Sequence, residues 1–414
     1  MTKNENIEAK HLVVIGGGAA GFFCAINAAK FNPTIRVTII EKTNKVLSKV
    51  KVSGGSRCNV THSCFDIAEL VKKYPRGQNF LKKSFHWFNT QHTIDWFLEK
   101  GILLKTEADG RMFPTTNTSQ TIIDCLLGEA KKYNVEILTS CEVIAIERSN
   151  SIFQLQTSNQ KNINATFLCI ASGGYPKALQ FQWLQKLGHS IDMPVPSLFT
   201  FNMPNNNITS LMGVTVENAQ VKIVGTKLVN EGPLLITHWG MSGPAILKLS
   251  AYGARVLAER NYEFSIIINW VTNYTEQSLR DQWIQFREQY AAQKITNKNP
   301  FQLPNRLWLY LLNLAEIKDE QRWADLTTKQ QNKLIQCLTC QEFMVKGKTT
   351  FKEEFVTCGG IKLNEVDANT MQSKIVPNLF FAGEVLDVDG ITGGFNFQNA
   401  WTTGWIAAKA IASS

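Results

Sequence analysis

The sequence predicts an α/β protein: a Rossmann-type nucleotide-binding fold carrying an inserted antiparallel β module and a small helical module. Three observations lead there. "HLVVIGGGAAGFFCAINAAKF", starting at His11, reads as buried strand, glycine turn and Ala-rich helix, and "IRVTIIEK" adds a β-branched strand that completes a βαβ unit. After the prolines of "DMPVPSL", the apolar period changes from two to helical. Near the end, "IVPNLFFAGE" is a strand that needs neighbours from the first part of the chain.

Length and composition set the outer bounds. At roughly 150 residues per domain, a chain of 414 residues holds two or three domains. The polar start "MTKNENIEAK" lacks the basic-then-apolar pattern of a secretory signal, and no apolar run is long enough to span a bilayer. Nine scattered cysteines fit reduced thiols better than a disulfide framework, so the expected compartment is the cytoplasm. A net charge of +9 favours polyanions or acidic surfaces without naming one.

In chain order, "QHTIDWFLEKG" has helical periodicity, and "VEILTSCEVIAIE", "IFQLQT" and "NATFLCIASGG" read as strands of an ancillary sheet and a strand returning to the nucleotide domain. The two prolines of "DMPVPSL" interrupt both helix and strand. "GVTVENAQVKIVGTKLVNEGPLLIT" and "YEFSIIINW" alternate apolar and polar residues, as in an antiparallel sheet with one wet face. "TEQSLRDQWIQFREQYAAQ", "NRLWLYLLNLAE" and "TKQQNKLIQCL" are helical, after which "EEFVTCGGI" returns as a strand. The expected boundaries are 1–193 and 345–414 for the nucleotide domain, 194–270 with 341–344 for the β module, and 271–340 for the helices.

Gly16, Gly18 and Gly21 form GxGxxG between a strand and a helix, and Glu41 ends the next strand. The first glycine permits the tight turn, the second lets a pyrophosphate approach the backbone, and the third allows close helix packing. The helix start at Ala19 and Ala20 offers N–H groups to phosphates. Glu41, followed by Lys42, can accept both hydroxyl protons of an adenosine ribose and would repel a 2′-phosphate. That turn alone suits FAD and NAD equally.

The carboxy-terminal stretch chooses between them. "LFFAGE" supplies a strand with Gly383 and Glu384, and "GITGGFNFQNAWTTGW" supplies Gly393, Gly394, Phe395 and Asn396 at a helix start. Reduced flavin carries negative charge around N1 and the C2 carbonyl, which a helix amino terminus stabilises. Between the two clusters, "KVKVSGGSRCNVTH" offers Lys51, Ser53, Gly54, Gly55, Arg57, Cys58 and Asn59 to phosphate and flavin carbonyls, and Gly173 ends a further strand. FAD is therefore the expected cofactor, with NADH or NADPH as an external reductant; no metal is expected.

"GGGAAG", "KVSGGSRCNVTH", "THWGMSGPAIL" and "GEVLDVDGITGGFNFQNAWTTGW", in that order, resemble the motifs of the bacterial BaiN-like (YhiN-like) flavoprotein family, also called aminoacetone oxidase family FAD-binding enzymes. The resemblance runs from the first strand to the end of the chain. It implies a Rossmann-type FAD-binding domain with an inserted antiparallel β-barrel module and a small helical subdomain, and a redox flavoprotein acting on amines, steroid double bonds or uridine in ribosomal RNA. Ser56 and Phe395 stand where many relatives have Gly and Tyr.

Flavin carries hydride, so the protein must position substrate and move a proton. Cys58, with a pKa lowered by neighbouring Arg57, and His238, in the turn "ITHWGMSGP", are the candidates, with Tyr175 third. Cys58 with Cys64, and Cys337 with Cys340, have the look of ordinary thiols rather than redox pairs. Lys72, Lys73, Arg76, Lys82 and Lys83, interleaved with Tyr74, Phe80, Phe85, Trp87 and Phe88, could track RNA phosphates while the rings stack bases; the alternative is an amphipathic helix whose rings are core. The leading expectation is an FAD-dependent reductase of a carbon–carbon double bond, uridine to dihydrouridine in RNA. The alternatives are an amine oxidase producing peroxide and a non-catalytic flavin-bound RNA-binding factor.

Overall fold

In the computed structural model the described residues are 10–349 and 356–414. The polar amino terminus and the start of "EEFVTCGGI" lie outside them. The chain divides into two compact units, Met1–Ser197 with Lys352–Ser414, and Leu198–Phe351.

The first unit is built on a five-stranded parallel sheet. Its order is Leu379–Phe381, Phe167–Ile170, β1 (His11–Ile15), β2 (Arg36–Ile40) and Glu136–Leu138. Apart from the edge strand Glu136–Leu138, the strands are largely apolar runs buried on both faces, as parallel sheets require. Helix α1 (Ala19–Phe31) follows β1, and the carboxy-terminal helix Phe395–Ala412 packs on α1. The contact is at backbone distance, because a Cβ on Gly404 would fall 2.7 Å from the Ala20 carbonyl oxygen.

That carboxy-terminal helix also buries a polar face. The Thr61 and Thr93 hydroxyls donate to Gln398 Oε1 (2.6 and 3.0 Å), Gln398 Nε2 donates to Thr402 Oγ1 (3.1 Å), and Thr402 donates to the Phe88 carbonyl (2.9 Å). Such a satisfied network fixes one register for the helix.

One expectation needs correction here. Ile191–Ser197, prolines included, is a strand paired antiparallel with Val356–Ile361. It pairs on one side only and shifts register between Asp192 and Val195, the setting in which proline is tolerated. In the second unit seven antiparallel strands form one sheet, in the order Gln341–Lys346, Glu263–Asn269, Thr215–Ile223, Val229–Thr237, Gly240–Ser242, Thr200–Asn202, Lys348–Thr349. Its two ends are successive stretches of one segment bent at Gly347 (φ +93°), whose N–H donates to Tyr262 O (2.8 Å) and whose carbonyl accepts from the Asn202 N–H (3.1 Å).

Helix Pro244–Glu259 packs on this sheet and was not foreseen, although Pro at its first position is a helix-start signal. The helices Glu276–Tyr290, Asn305–Leu314 and Thr328–Thr339 share one apolar core with the sheet, centred on the buried Trp270, Trp283, Trp308 and Trp323. No helix among the described residues is long and apolar enough to cross a membrane.

One buried cluster makes the first unit acid-sensitive. Ser373 Oγ accepts from the N–H groups of Ile375 and Val376 (3.0 and 2.8 Å), so its proton points to His189 Nε2 (3.1 Å). The His189 proton is then on Nδ1, donated to Glu365 (3.2 Å). Burial holds the His189 pKa below 6.5, and hydrogen bonds from Ser190 and His189 overcome burial to hold Glu365 below 4.5. For both groups the unfolded chain binds more protons in acid, so stability is complete above pH 6.5 and falls below it, first through His189 and then through Glu365. Thermal melting should drop as pH is lowered from 7 to 5, and His189→Asn should flatten that drop; an unchanged slope in the variant would remove His189 as its source.

Candidate functional site

Parallel strands bring their carboxyl ends to one edge, and the residues that follow them gather there. Gly16 follows β1, Glu41 follows β2, Gly173 lies just beyond Phe167–Ile170, and Gly383 and Glu384 follow Leu379–Phe381. Backbone bonds tie the edge together: Gly16 N–H to Ile40 O (2.8 Å), Ala171 N–H to Ile15 O (2.8 Å), Ala382 N–H to Ile170 O (2.9 Å).

The three glycines divide as their spacing predicts. A Cβ on Gly16 (φ +115°) would lie 2.3 Å from Ala171 O, and one on Gly21 would lie 2.0 Å from Gly16 O. Nothing stands within 4 Å of a Cβ built on Gly18. The first and third positions are closed by packing; the second opens on space a ligand can enter. No side chain caps α1, so its first-turn N–H groups, at Ala19, Ala20 and Gly21, remain available to an anion. Glu41 braces this turn, accepting from Gly17 N–H and from the Thr43 N–H and hydroxyl (2.9 Å each), and its carboxylate retains lone pairs for ribose hydroxyls. Lys42 is exposed, with Nζ 6.0 Å from the Tyr175 ring centre.

The second cluster is a broken helix, Ser48–Ser56, in which Ser53 is extended and Gly54 and Gly55 are left-handed (φ +58° and +68°). Gly54 backs onto Phe113, while Gly55 faces open space. Lys51 is exposed, and Ser53 Oγ donates to Val50 O (3.0 Å). Arg57 departs from its expected role: its guanidinium pairs with Glu107 (2.5 Å) and stacks on Phe113 at 4.0 Å. Cys58 does too. Its thiol is fully buried, and burial pushes its pKa up to about 12, with only a Ser53 hydrogen bond opposing, so it is no acid near neutrality.

The second and third clusters meet. With its amide nitrogen toward Thr61 O and Met112 O, Asn59 accepts the Gly394 N–H at 2.9 Å. Gly394 (φ +92°) sits so close to Thr61 that a Cβ would fall 2.6 Å from its carbonyl oxygen. Like α1, the helix that starts at Phe395 has no side-chain cap. Phe395 stacks on His62 (4.8 Å between ring centres), and the buried Tyr74 hydroxyl donates to Phe395 O (2.7 Å). The Asn396 side chain does not face a ligand as expected: it bonds both N–H and C=O of Gly390 (2.8 and 3.0 Å), closing the loop that holds Gly393. Gly383 (φ +77°) donates to Thr403 Oγ1 (2.8 Å). Glu384 accepts from Thr357 N–H (2.9 Å) and pairs with Lys49 (2.7 Å). Lys49 escaped the sequence reading, which chose Lys51 two residues on. Beside Glu384, the buried Thr357 Oγ1 has no hydrogen-bond partner.

His238 is exposed at the turn between Val229–Thr237 and Gly240–Ser242, edge-on to Trp239 at 4.2 Å. Tyr175 is partly buried against Phe181, and burial pushes its hydroxyl pKa up.

The basic stretch is reduced by folding. Arg76 is not on the surface: it forms a two-pronged pair with the fully buried Asp389, which also accepts from the Ser197 hydroxyl (2.7 Å). Lys72 pairs with Glu69 (2.6 Å), Lys73 is partly buried, and Lys82 and Lys83 are exposed. Tyr74, Phe80, Phe85 and Phe88 are core rings, which leaves Trp87 as the exposed one, 44% accessible.

The HI0933-like protein Rossmann domain pattern matches residues 10–410. The chain is 31% identical over 407 residues to a ribosomal RNA dihydrouridine synthase of Escherichia coli, covering 96% of each chain. It is 26% identical to a 3-dehydro-bile acid delta(4,6)-reductase of Clostridium scindens, covering 96% of this chain and 98% of that one. Its fold is shared with 3-ketosteroid-delta4-(5alpha)-dehydrogenase from Rhodococcus jostii at TM-score 0.50 and 12% identity, covering 98% of this chain and 99% of that one. The chain belongs to the HI0933-like family, Rossmann-fold FAD-dependent oxidoreductases.

Two outcomes follow from this geometry. Glu41→Ala should raise the FAD concentration for half-saturation by about 10- to 150-fold, the equivalent of about 1.5–3 kcal/mol for a hydrogen bond to a charged group; an unchanged titration would contradict the ribose assignment. Alkylation of the native protein, read by peptide mass mapping, should modify exposed Cys340 well before Cys58. Equal rates would mean that the Cys58 thiol is accessible.

Proposed function

We propose that this member of the HI0933-like family reduces a carbon–carbon double bond with electrons from NADH or NADPH, and that its substrate is uridine in ribosomal RNA, converted to dihydrouridine. The observation that carries the substrate is the 31% identity, over 96% of both chains, with a protein named for that product. A second relative of that name, from Haemophilus influenzae, is 28% identical over 411 residues, and the bile acid relative is also named a reductase.

FAD, when bound, would supply the carrier that accepts hydride from the nicotinamide and delivers it to the pyrimidine ring. The residues fit it: open space at Gly18, uncapped first turns at Ala19 and Phe395, and an unpartnered Thr357 hydroxyl beside Glu384. Gly16, Gly18 and Gly21 with Ala19 and Ala20 would hold the pyrophosphate, and Glu41 the adenosine ribose, with Lys42 at its rim. Gly173, Gly383 and Glu384 would flank the ribityl chain. Gly54, Gly55 and Gly393 would bring backbone N–H groups to the flavin, with Gly394 held behind them by its bond to Asn59. Lys51 and Ser53 stand at the edge of this group. Reduction of the ring also needs a proton. His238, the expected donor, is exposed on the second unit.

Heat release from purified protein should yield FAD; FMN, or no flavin, would sink the cofactor reading. Nucleoside mass spectrometry of ribosomal RNA should find dihydrouridine in the parent strain and lose it on deletion of the gene. Dihydrouridine retained after deletion, together with peroxide formation from an amine by the purified protein, would replace the reductase with an oxidase.

A further inference from the structure

We infer that a cleft of the first unit, between the helix Gln78–Ser84 and residues 363–374, receives a nucleotide of a single-stranded segment of the RNA substrate, with Trp87 at its rim stacking a neighbouring base. This rests on the RNA reading above.

The cleft is about 640 Å³, within the roughly 300–1,000 Å³ of small-ligand sites. Its lining is unusual in its amides. Gln78, Asn79, Asn364 and Asn369 contribute both donors and acceptors, which suits the edge of a base. Such edges are free only in unpaired RNA, the form in which sequence is usually read. Two cations accompany them. Lys83 lines one wall, and Lys374 lines the other, with Nζ donating to Asn364 O (2.9 Å), which holds its charge at the cleft. The acid in the lining, Asp367, is turned to local work, accepting from the N–H and side-chain amide of Asn369 (2.8 and 3.3 Å). The cleft thus offers positive charge for phosphates between amide-bearing walls.

Trp87 extends the surface. Its indole N–H donates to Asn369 Oδ1 (3.3 Å), so the exposed ring is tethered to a cleft residue. Lys409 Nζ lies 4.8 Å from the ring centre. Lys82, exposed beside Lys83, continues the positive charge. A tethered aromatic flanked by cations is how proteins hold single strands.

The test is fluorescence anisotropy of the FAD-loaded protein with a labelled oligouridylate, at several salt concentrations. Lys83→Ala with Lys374→Ala should raise Kd about tenfold and lower the slope of log Kd against log salt by about 1.4, since each single-strand phosphate contact contributes about 0.7. Trp87→Ala should weaken binding at least about fivefold, and Trp87→Phe should recover most of it. Lys329→Ala with Lys333→Ala, the same loss of charge on a helix of the other unit, should change neither quantity. Melting temperature and flavin content establish that each variant is folded. Independently of any variant, 4-thiouridine crosslinking to the unaltered protein should label peptides within 75–87 or 363–374. Should the unaltered protein bind no RNA, this proposal and the RNA reading fall together. Should it bind RNA and form dihydrouridine while the cleft variants match it and the crosslinks fall elsewhere, the cleft alone is wrong.

Discussion

The first unit depends on one backbone-to-backbone contact. Ala20, in the first turn of α1, meets Gly404 through its carbonyl oxygen and Gly383 through its Cβ, where a side chain on either glycine would come within 2.8 Å. Ala20 thereby sets how near the carboxy-terminal helix and the closing strand approach the amino-terminal glycine turn. A methyl group at Gly404 would collide with backbone, which cannot swing aside as a flexible side chain can. Both uncapped helix starts, at Ala19 and Phe395, are therefore placed by the same contact, and with them the ends of any dinucleotide held between.

Around that contact the interior is polar where function would want precision. Gln398 links Thr61, Thr93 and Thr402, and Asn59 links the middle loop to Gly394. Apolar packing would allow a helix to rotate slightly at low cost; directional bonds do not. The buried pair of Arg76 and Asp389 acts likewise on the preceding loop. Burial pushes the Asp389 carboxyl up, and the guanidinium and the Ser197 hydroxyl oppose that push. Removing one partner of such a pair typically costs about 3–5 kcal/mol.

How much of this was legible in the sequence follows from how local each signal is. The βαβ unit, its glycines and Glu41 lie within about thirty residues, and each position has a stereochemical reason that holds wherever the unit occurs. The carboxy-terminal glycines were legible for the same reason. Cys58 was misread because the sequence showed its neighbour Arg57 but not the burial that pushes its thiol up, and Arg57 because Glu107, 50 residues on, takes its guanidinium. Arg76 was misread because its partner lies 313 residues further along. The rings around it became core for a related cause, since Tyr74 answers to Phe395, 321 residues away. The prolines of Ile191–Ser197 misled because a strand paired on one side has room for them. Lys49 and Lys51 differ by nothing a sequence displays, and the fold decides which one meets Glu384.

The first unit is written in two pieces, and this gives its synthesis an order. The second unit is one unbroken stretch, so it can fold once Phe351 has left the ribosome. The parallel sheet by then lacks its edge strand Leu379–Phe381 and the helix that covers α1, both encoded later. At about 5–20 residues per second, everything after Ser197 takes on the order of 10–40 s. For that interval the face of α1 that this helix covers has no native cover. The helix Phe395–Ala412 is the one that ends the waiting.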